Sequence, residues 1–288
     1  MLHIGLDIIY LAFCCYLHHQ FFNRASVPGG RFSNPPTTPS PARCTPFMTT
    51  LLQKIFGLKK DSLYDAISNE DLATFKSLLE KGHDPNELDT IGQTPLFRIV
   101  YNTSSMQVDF LSVLLSFGST IDFQKDDGTT ALFFAKGKIA RLLLEKGAGI
   151  NVRSIKGSLP IHLSTDIETT KLFIDYGADI NAKDFSQASP LHHYVYFGSD
   201  LVDFAIKKGA DVNAKDIDGW TPLINLSRTI GFDTDDNIEI IKTAEILLNA
   251  GADINSKDKD GMTAYDNALD SDVNNYELAK FLKSVSKQ

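Results

Sequence analysis

Gly209-Ala210-Asp211-Val212-Asn213, then Lys215-Asp216-Ile217-Asp218-Gly219, then Thr221-Pro222-Leu223: this succession is written six times in the chain. Near copies of its first string are Gly177-Ala178-Asp179-Ile180-Asn181 and Gly251-Ala252-Asp253-Ile254-Asn255, and looser copies begin at Gly82, Gly118 and Gly147. The second string returns at Thr94, Thr130, Leu159, Ser189 and Thr263, and from each Gly to its partner the distance is 12 residues in all six cases. Equal spacing of that kind is the mark of a repeated structural unit stacked on copies of itself.

Each piece has a physical role. The Gly ends an apolar run such as Ala140 to Lys146 or Thr243 to Ala250, where a left-handed residue closes a helix most cheaply without a side chain. Turn formers such as Lys257-Asp258-Lys259-Asp260-Gly261 follow and predict a tight hairpin. The Thr or Ser is then expected to cap the next helix, with Pro in its first turn, where no amide partner is lost. The unit is read as helix, helix, hairpin.

The array resembles ankyrin repeats, whose pattern places Asp-Gly-x-Thr-Pro-Leu-His near the first helix and Gly-Ala-Asp-x-Asn after the second. The resemblance covers about residues 61–288, and Gly209 to Leu223 is its strongest copy. It implies an all-α solenoid of helix pairs joined by short hairpins: an N-terminal pair from Leu63 to Lys81, five full repeats, and a C-terminal capping pair from Thr263. It also implies a protein-interaction module with no catalysis and no cofactor. The hairpin tips and first helices would line a concave face that binds other proteins, with the residue before each Thr-Pro-Leu string projecting from it.

Departures from the pattern carry expectations of their own. Gly-to-Gly intervals of 36, 29, 30, 32 and 42 put all variation in the helix pairs. The unit starting at Thr130 is short, and Gly137 is expected to break its first helix. The unit starting at Thr221 is long, the excess falling in an acidic insertion at residues 231–237. The family's His survives at His162 and His192 alone, where the resemblance implies a hydrogen-bonding brace for the hairpin rather than an acid/base pair. His193 beside it is read as exposed. In the last helix, Asn274, Asn275, Glu277, Lys280, Lys283 and Lys287 are read as the solvent face, and Tyr276, Leu278, Phe281, Leu282 and Val285 as the inner one.

Composition separates this array from what precedes it. Of 288 residues, 28 are Lys or Arg and 36 are Asp or Glu, a net charge of −8; residues 1–60 hold six basic groups and one acid, leaving −8 − 5 = −13 for residues 61–288. An acidic array argues against nucleic acid as ligand and favours a basic protein partner in rate of association. All three cysteines (Cys14, Cys15, Cys44) lie before residue 47, so the array has no disulfide framework and no thiolate metal site. Cys14-Cys15 with His18-His19 has ligand spacing, but a metal site needs a fold around it, and the Pro-rich stretch at residues 26–46 supplies none.

The first 47 residues are read as a hydrophobic and then Pro/Ser/Thr-rich leader that is either disordered or not part of the native protein. The uninterrupted apolar core Ile8 to Leu17 is ten residues, short for a membrane span and lacking the basic flank of a secretion signal. Two readings stay open. Translation starts at Met48 and the protein is cytoplasmic, or residues 1–22 direct a secreted or membrane-tethered effector. Residues 48–60 read as an apolar cover or linker.

No phosphate loop, dinucleotide fingerprint, nucleophile elbow or His-Glu-x-x-His motif is present. Asp233-x-Asp235-x-Asn237 begins like a calcium loop and fails at Ile238, where Gly is needed, and at Ala244, where the bidentate Glu belongs. What remains is a surface. Trp220, the single Trp, is the first candidate for a partner contact. Met262, Gln93, Phe185, Arg98, Arg153 and Tyr194 follow, and the protein is expected to be a monomer.

Overall fold

The computed structural model of the chain describes residues 62–102, 104–229, 234–270 and 275–286. The leader, the segment 48–60, residues 231–233 of the acidic insertion, Asn274 and Lys287 lie outside them.

The chain forms α1 (Leu63–Ser68), α2 (Leu72–Glu80), α3 (Pro95–Tyr101), α4 (Gln107–Ser116), a 3-10 turn (Ala131–Phe133), α5 (Gly137–Glu145), a second 3-10 turn (Pro160–Leu163), α6 (Ile167–Asp175), α7 (Pro190–Tyr194), α8 (Ser199–Lys207), α9 (Pro222–Ser227), α10 (Thr234–Asn249), α11 (Ala264–Ala268) and α12 (Tyr276–Val285). No strand occurs among the described residues. Two parallel rows result. The first row stacks α1, α3, the two 3-10 turns, α7, α9 and α11, each on the next; the second stacks α2, α4, α5, α6, α8, α10 and α12.

The core runs between the rows. The third residue of the Thr-Pro-Leu string is sealed at Leu96, Leu132, Ile161, Leu191 and Leu223, each at most 1% exposed. Facing them are Phe75, Phe110, Leu143, Phe173, Val202, Leu247 and Leu282 of the second row. Truncating a buried Leu of this kind to Ala costs about 2–5 kcal/mol.

The hairpins are one turn repeated. The residue five before the string donates its N–H to the carbonyl of the residue just before it, at 2.9–3.1 Å in all six copies from Asp89–Gln93 to Asp258–Met262. Its own carbonyl accepts from the residue two before the string, at 2.8–3.1 Å. That second residue takes a positive φ in every copy: glycine in five, and Gln187 at φ 60 in the sixth.

Three local expectations are corrected. Gly137 does not break a first helix: it opens α5 at φ 48, and the first helix of that unit shrinks to the 3-10 turn Ala131–Phe133. The Thr hydroxyl caps the following helix only at Thr221 and Thr263, each accepting from the amide three residues on at 3.3 Å. At Thr94 and Thr130 the hydroxyl is buried without a hydrogen bond. In α12, Tyr276 is 63% exposed whereas Asn275 is 5% exposed, because Asn275 takes the N-cap, accepting from the Leu278 amide and donating to the Thr229 carbonyl.

Candidate functional site

The hairpin tips are tied to one another. The amide four residues before the string donates to the carbonyl three before the preceding string: Ile155 to Asp127 at 2.9 Å, Phe185 to Lys156 at 3.0 Å, Ile217 to Ser186 at 2.7 Å and Lys259 to Asp218 at 2.9 Å. A second ladder runs beside it, made of side chains six before the string. Gln124 Nε2 donates to the Arg153 carbonyl at 3.2 Å, Arg153 Nη1 to that of Lys183 at 2.9 Å, Lys183 Nζ to that of Lys215 at 2.9 Å, and Lys215 Nζ to that of Lys257 at 3.0 Å. Glycine makes this approach possible. A Cβ on Gly128 would lie 2.8 Å from the Ile155 nitrogen, and one on Gly157 would lie 2.4 Å from the Phe185 ring.

The ladders hold a row of apolar side chains in water. Ile155, Phe185 and Ile217, one per unit at the same place in three consecutive hairpins, are 66%, 64% and 52% exposed. Exposed apolar residues scattered singly need no explanation, whereas these three recur at one register along one edge. On the first-row side of the hairpin that carries Ile217, the Arg228 guanidinium lies 4.4 Å from the ring centroid of half-buried Trp220, and its Nη1 donates to Asn267 Oδ1 at 2.9 Å. The Trp indole face and a planar cation thus form one platform.

A family model for ankyrin repeats matches residues 63–154, 161–258 and 191–287. The chain belongs to the ankyrin-repeat family. An ankyrin repeat protein of fowlpox virus (strain NVSL) is 29% identical over 135 residues, covering 46% of this chain and 20% of that protein. A second from the same virus is 25% identical over 140 residues, 46% of this chain and 18% of that protein. One from Rickettsia felis is 32% identical over 90 residues, 26% of this chain and 40% of that protein. Ankyrin stacks are in general protein–protein interaction modules. The matches span well under half the length of these relatives.

Within the ankyrin frame, the candidate residues fall into two groups. Trp220 and Met262 are half-buried and Phe185 is exposed. Arg98 lies half-buried on α3, and exposed Arg153 belongs to the ladder. Tyr194 and Gln93 are corrected. Tyr194 is 0% exposed, its hydroxyl donating to the Ile161 carbonyl at 2.6 Å and lying 2.9 Å from Ser164 Oγ, so it belongs to the core. Burial pushes its phenol pKa up. Gln93 is 7% exposed, beneath Tyr64, whose hydroxyl donates to its carbonyl at 2.7 Å. The projecting position is thus not the residue before the string, since Thr129 and Ala188 are buried there too. It is the tip, three residues earlier. Ile155 and Ile217 were missed as projecting apolar residues because they sit among turn formers. Their apolar identity at a tip position was the available signal.

His162 and His192 are 0% exposed. The Nδ1 of each accepts from the amide three residues before it, at 3.1 Å and 3.0 Å, and His192 Nε2 lies 3.0 Å from the Trp220 carbonyl in the next hairpin. Burial lowers both pKa values to about 4. His193 is also buried, at 9%, with its Nε2 3.9 Å from Asp184 Oδ2; it is not the exposed group its neighbour's role suggested. Among the described residues, no group of three His, Cys, Asp or Glu side chains is placed to hold a metal, and no helix is long and apolar enough to cross a membrane.

Proposed function

We propose that the array is a non-catalytic scaffold that binds a protein partner through its hairpin tips and first-helix side, as a monomer. The observation that carries this reading is the row Ile155, Phe185, Ile217, held at fixed register by backbone hydrogen bonds and continued by the Trp220–Arg228 platform. Met262, Arg98 and Arg153 flank it. The charge of −13 over residues 61–288 speeds the approach of a basic partner.

The test is affinity capture with the full chain beside Phe185→Asp, Ile217→Asp and Trp220→Ala. Exposed or half-buried positions leave the melting temperature in place. Each change is expected to weaken the same captured protein, Trp220→Ala by about 2 kcal/mol, or roughly 30-fold. A captured set indifferent to all three defeats the proposal, and light scattering that shows a dimer defeats the monomer.

The apolar run Ile8 to Leu17 favours a second reading, an effector carried to a membrane or out of the cell by residues 1–22, against a cytoplasmic protein begun at Met48. Intact mass of the native protein together with fractionation of the tagged full-length chain separates the two.

A further inference from the structure

The hairpin at Lys125–Thr129 departs from its five sisters. Five residues before the string the others carry Asp89, Ser154, Asp184, Asp216 and Asp258, whose side-chain oxygens accept amide hydrogens of their own turns at 2.8–3.3 Å. Here that position is Lys125. The turn is capped instead from two residues further on, by Asp127 Oδ1 accepting from the Thr129 amide at 2.9 Å. The Lys side chain is released from the turn, and it goes to a cluster of rings.

Phe97 and Tyr101 of α3 and Phe134, just after the first 3-10 turn, surround its ammonium. Their centroids lie 5.1–6.4 Å apart, and Lys125 Nζ is 5.6 Å from those of Phe97 and Phe134 and 6.0 Å from that of Tyr101. Phe97 is fully buried and forms the floor, while Tyr101, Phe134 and Lys125 are half-buried, so the cluster opens to water. No salt bridge to Lys125 exists among the described residues. Three ring faces converging on one cation are the geometry by which proteins recognise alkylated ammonium groups.

We propose that Phe97, Tyr101 and Phe134 form a binding site for the N-methylated lysine side chain of a partner protein, and that Lys125 is its built-in occupant, displaced when the partner docks. A primary ammonium is strongly hydrated and sits at the outer limit of ring attraction, as Lys125 does. Methylation keeps the charge and replaces hydrated N–H groups by methyls, so the modified side chain gains more from the rings and loses less water than Lys125. The site rests on the scaffold reading only for where the cation comes from.

The experiment titrates the full chain with three probes, following aromatic proton shifts: a short peptide carrying trimethyl-lysine, the same peptide unmethylated, and the tetramethylammonium ion. The trimethylated peptide is expected to bind at least tenfold tighter than the unmethylated one, and tighter than the free ion. Lys125→Ala is expected to strengthen it about tenfold further, whereas Lys125→Arg, which refills the rings, is not. Adding Phe134→Leu or Tyr101→Leu to Lys125→Ala is expected to abolish the gain at a melting temperature that shows the stack intact. Should Lys125→Ala not fold, Lys125→Gln keeps the stem and carries the same expectation.

A Lys125 variant that loses stability without gaining the methylated ligand makes Lys125 a brace and overturns the proposal. So does equal binding of methylated and unmethylated peptides, or a gain that survives loss of a ring. Tighter binding of the free ion than of the peptide overturns the protein source. Because the probes are synthetic, these failures leave capture through Phe185 and Trp220 untouched.

Discussion

The hairpins Asp184–Ala188 and Lys125–Thr129 are the same turn closed by different groups. In one, Asp184 Oδ1 accepts the Ala188 amide at 3.0 Å from the first position of the turn; in the other, Asp127 takes the Thr129 amide at 2.9 Å from the third. The unit after Asp184 has an α-helix braced by His192, and the unit after Lys125 has a 3-10 turn with Phe133 in the place of that His. The turn thus has two interchangeable acceptor positions. A unit that uses the second one frees the first for other work, and the freed side chain is the one found among the rings.

The largest expected effect strikes only the His-braced side of this comparison. The folded pKa values of His162 and His192 are lowered to about 4, against about 6.5 unfolded, so between these values the unfolded chain binds more protons. Their contribution is complete above about pH 6.5 and is lost as pH falls toward 4, at up to roughly 1.4 kcal/mol per pH unit for each ring. Urea midpoints measured from pH 7 to pH 4 should fall steeply, and hydrogen exchange should show units 159–196 losing protection before residues 95–145. Uniform loss along the stack would remove the distinction.

Next comes the close approach of neighbouring tips. Gly157→Ala puts a methyl 2.4 Å from the Phe185 ring at a φ of +77, and should cost about 3 kcal/mol. Gly92→Ala has a similar φ of +73 with nothing within 4 Å, and should cost only about 1 kcal/mol for the backbone. Equal values in denaturant melts would mean that the tips are not in contact.

Asp258 sharpens the contrast in turn closure. Its carboxylate accepts from Met262, Asp260 and Asn267 at 2.8–3.0 Å, so Asp258→Ala should cost about 2 kcal/mol. Lys125→Ala, at the equivalent position, should cost under about 1 kcal/mol, while Asp127→Ala should cost more than Lys125→Ala. Chemical denaturation of the three variants tests the order. Smallest is Gln187→Gly, which relieves a side chain at φ 60 but frees the unfolded chain. A gain of a few tenths of a kcal/mol in the same assay is expected.

The stack was legible because its signal is local: Gly, turn formers and Thr-Pro-Leu sit at fixed offsets, and each residue does its work within twelve positions. What was not legible depends on neighbours in the next unit. Tyr194 and His193 looked available because a helix of five residues shows too little period to assign a face. Thr94 looked like a cap, yet its hydroxyl is fully buried and makes no hydrogen bond to the first turn of the helix it precedes. The shortening at Thr130 and its place in the first helix were visible in the sequence, but its form was not: a 3-10 turn at Ala131–Phe133, with Gly137 at φ 48 opening the next helix instead of interrupting this one. The cluster around Lys125 joins residues 97, 101, 125 and 134 across two units, and no spacing rule within one unit points to it.

The bonds between successive tips have a meaning for how such a surface changes over time. Ile155, Phe185, Ile217 and Lys259 are all hung from amides whose bonds use only main chain. Their identities can therefore be rewritten one at a time while the interval between them stays put, like characters set on ruled paper. A partner that reads the edge meets an alphabet that drifts and a line spacing that does not.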